Sequence, residues 1–453
     1  MFNIETSRLI KLMALLLGSL SMTTAASLST EATSLLMPET HLPELKELLK
    51  SAELQAPQLI EQSIAEEEAQ ERLKQAKSAY YPRLDLNSNL GFREISYNTA
   101  TVEDESSAAI TFYASITRPF YHWGAIESLI KQAKLDNNSE ALHRELIMRQ
   151  IKRSIRAEYL SLLINKENLL NLNLQKKIAE SDLEQFASRS QLGRVSDIDA
   201  DLSEVNLSQH IMNIDRALAD QIRITNSFKR KTGYTGKLSL KDSIKISDLN
   251  QIEGYVALQK NQPSNAWTDQ HGEVRRLQNR ILREQEEMIR IKSRQRPLIN
   301  FAAHVSQDQR NVALQNNVDA LTYFMGLSVN WNIFDGFSTS ASKRESLLRK
   351  NRYQVSLNNY KKEITAQAKH ILEQIEFQVK LVRIELKRAE LHAARYTSKY
   401  DESEDGRISS KQLQAHALDK SNADLNLIRA QSSLLLMLND YLDLVTPIKN
   451  NTY

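Results

Sequence analysis

Residues 321–333 read LTYFMGLSVNWNI, and their alternation decides the fold. Leu321, Tyr323, Met325, Leu327, Val329, Trp331 and Ile333 share one side of an extended chain. Thr322, Ser328, Asn330 and Asn332 share the other, with Phe324 the one exception. A period of two places successive side chains in two different environments, so a strand is predicted over about 321–333 with an apolar and a polar face. Three further segments carry the same pattern. Over 83–93, Leu84, Leu86, Leu90 and Phe92 oppose Asp85, Asn87, Asn89 and Arg93. Over 108–118, Ile110, Phe112, Ala114 and Ile116 oppose Thr111, Tyr113, Ser115 and Thr117. Over 298–306, Ile299, Phe301, Ala303 and Val305 oppose Asn300, His304 and Ser306.

Any one of these strands would suit a soluble sandwich. Their context argues for another setting. They come as two hairpins with polar loops, Glu94–Ser107 and Gln307–Ala320, and each is long enough to cross a bilayer at a tilt. Beyond Leu20 no run approaches 18 apolar residues, so a membrane-spanning part of the mature chain has to be a β-barrel. Four strands cannot close a barrel, for which about eight is the minimum. Several chains must then share one.

Working outward, the hairpins are joined to long helices. Ala125–Gln191 and Phe337–Glu404 contain no proline and no internal glycine, and at about 1.5 Å per residue each spans on the order of 100 Å. Apolar residues recur at three- and four-residue steps, as in Ile147, Ile151, Ile155, Tyr159, Leu162 and Leu163. This is a narrow seam for coiled-coil packing rather than the wide face of a globular core. Shorter helices are expected over Ala56–Tyr80, Ser196–Thr232, Ser264–Gln295 and Ser409–Leu444.

The plan occurs twice. Pro82 and Pro297 each open an extended run, Pro119–Gly124 is matched by Asn332–Phe337, and Gly193, Arg194, Val195, Ser196 recurs as Gly406, Arg407, Ile408, Ser409. Nearly equal offsets, 215 residues for the prolines and 213 for the other two pairs, indicate an internal duplication, with repeats at 27–240 and 241–453 and tight turns at about 190–196 and 404–409. In each turn the glycine supplies a left-handed residue that stops one helix, and the serine caps the next. Arginine and a β-branched residue are not needed to make a turn, so their repetition points to a docking surface at the two tips.

Composition excludes several functions. The chain of 453 residues has 59 Lys+Arg against 56 Asp+Glu, a net charge of +3, which offers no basis for a nucleic-acid partner. It has no cysteine, so there are no disulfides, thiolate metal sites or lipid-modified cysteine. Arg8 and Lys11 precede an apolar run, Leu12–Leu20, and then small residues to Ala26, the pattern of a secretory signal over 1–26. No catalytic or cofactor site emerges. Ser128 and Lys131, followed by Lys231, Thr232 and Gly233, imitate a penicillin-binding enzyme, but they lie in or at the ends of helices and lack the intervening Ser-Asp-Asn element. The nine histidines are scattered, with no metal-ligand pair at helical spacing. Glu66, Glu67 and Glu68 read as a solvated face.

The sequence resembles the TolC family of outer-membrane efflux proteins. Ala79, Tyr80, Tyr81 and Pro82 before the first strand, Pro119–Gly124 after the second, the tips at Gly193 and Gly406, and the twofold repeat carry the resemblance. It implies a mainly α chain with a small β part, a homotrimer sharing a twelve-stranded transmembrane barrel, and an α-helical barrel reaching across the periplasm. It also implies a passive duct without catalytic residues or cofactor, set in outer-membrane lipid and working with a periplasmic adaptor (membrane fusion) protein and an inner-membrane transporter that engage the tips. Asp199 stands where the family often places an aspartate, six residues after the tip glycine, whereas Gln412 and Ala415 stand where its best-studied members line a narrow aperture with aspartates. The expected aperture residues are therefore Asp199 and Gln412, with Asp401, Glu402, Glu404 and Asp405 as an alternative source of negative charge. Asn332 replaces the proline expected at the second strand-to-helix corner, so that corner is expected to be less sharply fixed. The competing reading is a soluble periplasmic coiled-coil scaffold, which accounts for the helices but not for four alternating strands.

Overall fold

The computed structural model describes residues 37–40, 42–96, 105–192, 194, 196–246, 248–261, 265–310 and 318–448. The expected secretory segment, and Gly193 and Val195 of the first tip, lie outside the described residues. After a single 3-10 turn at Pro38–Thr40, the elements are helices α1 (Pro43–Gln55) and α2 (Pro57–Ser78), strands β1 (Arg83–Ile95) and β2 (Glu105–Tyr121), and helices α3 (Ala125–Gln191) and α4 (Asp197–Thr232). Then come α5 (Leu249–Lys260), α6 (Asn265–Thr268), α7 (Gly272–Ser293), β3 (Leu298–Arg310), β4 (Val318–Asn330), α8 (Ser338–Glu404) and α9 (Ser410–Val445). They fall into two compact units, one made of residues up to Glu61, Arg144–Gly272 and Lys361 onward, the other of Gln62–His143 and Glu273–Tyr360.

The second unit holds the sheet, a single antiparallel layer in the order β1-β2-β3-β4. β2 is longer than the alternation predicts and runs through Pro119, where its register with β3 slips between Pro119 and Tyr121. Proline cannot donate to a ladder and is tolerated at such an irregularity. β4 ends at Asn330, so Trp331 and Ile333 lie past the strand rather than within it. Both strand-to-helix corners place two consecutive residues at positive φ, Trp123 and Gly124 at 56° and 80°, Gly336 and Phe337 at 62° and 68°. The second corner is thus as sharply turned as the first although Asn332 replaces a proline. Asp335 fixes it by accepting the Thr339 backbone N–H at 2.8 Å, with the Thr339 hydroxyl also bound to the same carboxylate. Trp123 keeps its costly conformation because Nε1 donates to the Pro297 carbonyl at 2.8 Å and the Arg296 guanidinium lies 4.8 Å from the ring. Beside the sheet, the start of α8 meets α7 through the buried carboxylate of Glu284, which accepts from the Ser346 hydroxyl at 2.8 Å and from Arg349 at 3.2 Å.

The first unit contains two apolar clusters. Leu42, Leu45 and Leu49 of the N-terminal segment pack with Ile155, Tyr159 and Leu162 of α3 and Phe228 of α4. Ile252, Tyr255 and Val256 of α5 pack with Ile375 and Val379 of α8 and Leu434 and Leu438 of α9. Polar groups are matched across the same unit. The buried Arg156 guanidinium grips Glu39 with two nitrogens, at 3.0 and 2.6 Å, and donates to Asn439 Oδ1 at 2.5 Å. Arg149 donates to the carbonyls of Asp443, Thr446 and Pro447, closing the free end of α9 where a helix leaves acceptors unsatisfied. Farther along α3, buried Asn171 bonds Ser421 and Asn422, each at 2.9 Å; buried polar contacts of this kind help fix the register of a helix pair.

Helices α1 and α5 were not anticipated from the sequence. The helix expected over Ser264–Gln295 is broken between Thr268 and Gly272. At Gly272 the side chains of Ile448 and Leu146 come close: a Cβ would meet Ile448 Cδ1 at 2.3 Å and Leu146 Cδ2 at 3.0 Å, so a larger residue would have to displace those side-chain ends. Gly233 stops α4 in the left-handed region at φ 69°. That is the structural role read for it, in preference to a catalytic one.

Candidate functional site: the sheet face and the helix tips

Paired residues of neighbouring strands share a face, so the register can be followed row by row. Leu84, Ile116, Ala303 and Met325 form one row, and Leu86, Ala114, Val305 and Tyr323 the next. Phe301 pairs with Leu327 and Ile299 with Val329. Every residue assigned to the apolar side in 83–93, 108–118 and 298–306 therefore falls on one continuous face, together with Leu321–Val329 of the fourth segment. That face is uncovered: Leu84, Leu86, Leu90 and Phe92 are 71–91% exposed, and Met325 is 77% exposed. The opposite face carries Asp85, Ser115 and His304 in one row and Asn87, Tyr113, Ser306 and Thr322 in the next. Phe324, the exception to the alternation, stacks on His304 with ring centroids 5.0 Å apart, and His304 lies 5.3 Å from Tyr113. An aromatic row across three strands explains why this polar face accepts a phenylalanine.

The sheet is also open. β1 and β4 each have one unpaired edge of 13 residues, and long bare edges are avoided in water because they template further pairing. Among the described residues no helix is long and apolar enough to cross a membrane. An exposed apolar face with two unpaired edges calls for lipid on the face and further strands at the edges. A Leu321→Arg substitution, midway along the apolar face, is accordingly expected to destabilise the inserted protein by about 2 to 4 kcal/mol, whereas Thr322→Arg on the opposite face is tolerated. Unfolding of both variants in lipid vesicles checks this.

The two tips lie in the first unit. At the second, Gly406 has φ 70°, its N–H donates to the Ser403 carbonyl at 3.1 Å and the Arg407 N–H to the Glu402 carbonyl at 2.8 Å. This pair of bonds is the Schellman closure of a helix. At the first tip Arg194 N–H donates to the Arg189 carbonyl at 2.9 Å, with the same separation along the chain. Ser196 caps α4 by accepting from the Ile198 N–H at 3.2 Å, and Ser409 caps α9 by accepting from the Gln412 N–H at 3.3 Å. Arg194 is exposed, Ile408 is half-buried, and Arg407 is exposed and, among the described residues, pairs with exposed Asp405 at 3.3 Å. Because Gly406 is left-handed with open space around it, Gly406→Val is expected to cost about 1 to 3 kcal/mol through backbone strain alone, seen as a lowered unfolding midpoint that Gly406→Asn largely avoids.

Of the two expected aperture residues, Gln412 has a local side-chain partner. Gln412 Oε1 accepts the Ser409 N–H at 3.0 Å, completing a reciprocal capping box. Asp199 is exposed in the first turn of α4, beside Asp197, where a carboxylate meets the positive end of the helix dipole. Of the acidic group before Gly406, Glu402 pairs with Lys399 at 2.6 Å, and the Glu404 carboxylate beside Tyr400 raises that phenol. A feature that sequence reasoning missed is a row of apolar side chains at the first tip. Leu192, Ile198, Leu202 and Val205 are 61–69% exposed, and their helical spacing was readable as a face with no partner in the chain.

Residues 48–230 match the outer membrane efflux protein family. The outer membrane protein TolC of Escherichia coli (strain K12) is 23% identical over 180 residues, 37% of this chain and 36% of its own length. The outer membrane protein TolC of Salmonella enteritidis is 25% identical over 117 residues, 25% of this chain and 24% of its own. The chain thus matches about a third or less of the length of these relatives. Over most of its length it shares the fold of solved outer-membrane channels. The Campylobacter jejuni CmeC channel superposes with a TM-score of 0.71 at 13% identity, covering 89% of this chain and 85% of that one. Vibrio cholerae VceC gives 0.68 at 12% identity, covering 90% and 98%. The fold is that of the outer-membrane channels, α-helical hairpins joined to a four-stranded share of a β-barrel. The chain is similar in fold to these channels, as its sequence motifs implied.

Proposed function

We propose that this chain is one third of a passive outer-membrane duct through which an inner-membrane pump expels its substrates from the periplasm. The observation that carries this is the open four-stranded sheet whose apolar face and both edges are unpartnered. Three copies supply twelve strands and close the barrel, β1 of one against β4 of the next, with the polar face lining the lumen. The long helices then serve as the periplasmic conduit, and the near-identical lengths of α3 and α8, and of α4 and α9, support one duplicated repeat as their origin.

The tips are assigned to a periplasmic adaptor protein, with Gly193, Arg194, Val195, Ser196 and Gly406, Arg407, Ile408, Ser409 forming a crown when three chains assemble. Asp199 and Gln412 are assigned to the periplasmic aperture. On this reading three Asp199 carboxylates face the opening, and substrate choice belongs to the pump. The experiment is fractionation of cells that make the full chain. The protein is expected in the outer membrane as a species of three chains, and a soluble periplasmic monomer would restore the scaffold reading.

A further inference from the structure

The apolar face of the sheet carries one charged residue away from its far end. Along β2, Ile110, Phe112, Ala114 and Ile116 alternate onto that face, and the next position on it is Arg118, paired with Phe301, which itself pairs with Leu327. Arg118 is exposed, and no described residue forms an ion pair with it. The other charged positions of the same face, Glu94 and Asp319, stand at its far end. From Arg118 to the partner of Glu94, β2 advances about twelve residues, roughly 40 Å along the strand and about 30 Å across a membrane at the usual barrel tilt. That is the thickness of a bilayer's hydrocarbon layer. Arg118 thus stands at one boundary of the apolar band, at the end where β2 passes into α3.

The surroundings of this boundary are basic and aromatic. Lys77, Arg83, Arg294 and Arg296 stand within a few residues, along the chain, of the strand ends at this boundary. The nearby acids are engaged: Asp85 with Arg83 at 2.8 Å, Asp335 with Thr339, and Glu127 with the Tyr80 hydroxyl. Phe120 is 71% exposed two residues beyond Arg118. An arginine on a lipid-facing surface keeps its stem in the acyl region and its guanidinium at the headgroups, where the planar fork matches a phosphate. An excess of positive charge around it favours lipids with a net negative charge.

We infer that Arg118 is the centre of a binding site for the phosphate of an anionic phospholipid in the leaflet facing the periplasmic helices, with Phe120 at the level of its headgroup and Phe301 against its acyl chains. The inference rests on the barrel reading above, and one experiment separates the two. The full-length protein and the variants Arg118→Gln and Arg118→Lys are reconstituted into phosphatidylethanolamine vesicles containing a minority of phosphatidylglycerol, extracted in mild detergent, and their retained lipids counted by native mass spectrometry. The expected result is equal insertion of all three, severalfold enrichment of phosphatidylglycerol on the original protein, loss of that enrichment in Arg118→Gln, and its partial retention in Arg118→Lys. Equal insertion with no enrichment, or with the same enrichment in Arg118→Gln, overturns the lipid site and leaves the barrel standing. Failure of the original protein to insert in either lipid overturns both.

Discussion

Replacing Arg194 and Arg407 together by glutamate is expected to abolish export through the assembled pump while leaving the channel itself intact. The turns do not depend on these side chains. The Schellman bonds at the second tip use the backbone of Arg407, and the serine caps belong to Ser196 and Ser409. Among the described residues the side chain of Arg407 pairs with exposed Asp405, an interaction worth well under about 1 kcal/mol. In a trimer the double substitution inverts six exposed charges on a crown the adaptor would meet, and like-charge juxtaposition costs docking several kcal/mol. Three readouts in one strain check this: the amount of trimer in the outer membrane, conductance after purification, and export by the cell. Normal export with normal trimer would show that the arginines only solvate the turns.

The second large effect is expected at Arg156. Its guanidinium is almost fully buried, held by two bonds to Glu39 and one to Asn439, with Asp443 3.9 Å away. Removing one member of such a set strands the others, and Arg156→Ala should cost about 3 to 5 kcal/mol of stability. Burial already pushes the Asp443 carboxyl above the usual carboxylate range, partly offset by the charges of Arg156 and Arg149. Without Arg156 it rises further, so at neutral pH the variant keeps an uncompensated charge or takes up a proton, and at acid pH the carboxyl is neutral in both proteins. The deficit of Arg156→Ala is therefore expected to shrink as pH falls. Arg153→Ala is the control. Arg153 pairs with Asp440 at 2.6 Å but is 56% exposed, and its loss should cost about 1 kcal/mol or less. Unfolding midpoints in detergent at two pH values measure both.

Much of this fold is written locally. The limits of α3, Ala125–Gln191, coincide with the proline- and glycine-free run, and the alternation placed its residues on the correct face of the sheet because one pleat fixes all of them at once. What failed to show was decided at long range. α1 and α5 are short, and their apolar residues gain meaning only against α3, α8 and α9. The break before α7 falls where Ile448 and Leu146 approach Gly272, a contact that no local pattern contains. Phe324 looked like an error in the alternation until His304 and Tyr113 were seen beside it. At the tips the reverse held. Ser409 and Gln412 spell a capping box in the sequence itself, and the structure assigns the glutamine a local partner before any role at an aperture.

The account stands most directly on which face of the sheet meets water in the assembled channel. Because the chain lacks cysteine, single cysteines at Asn330 and Val329 can be compared by planar-bilayer conductance before and after a charged, water-soluble thiol reagent is added. The duct predicts discrete conductance steps from both proteins, reduced by the reagent at residue 330 and unchanged at residue 329. No conductance, or an equal response at both positions, would contradict it.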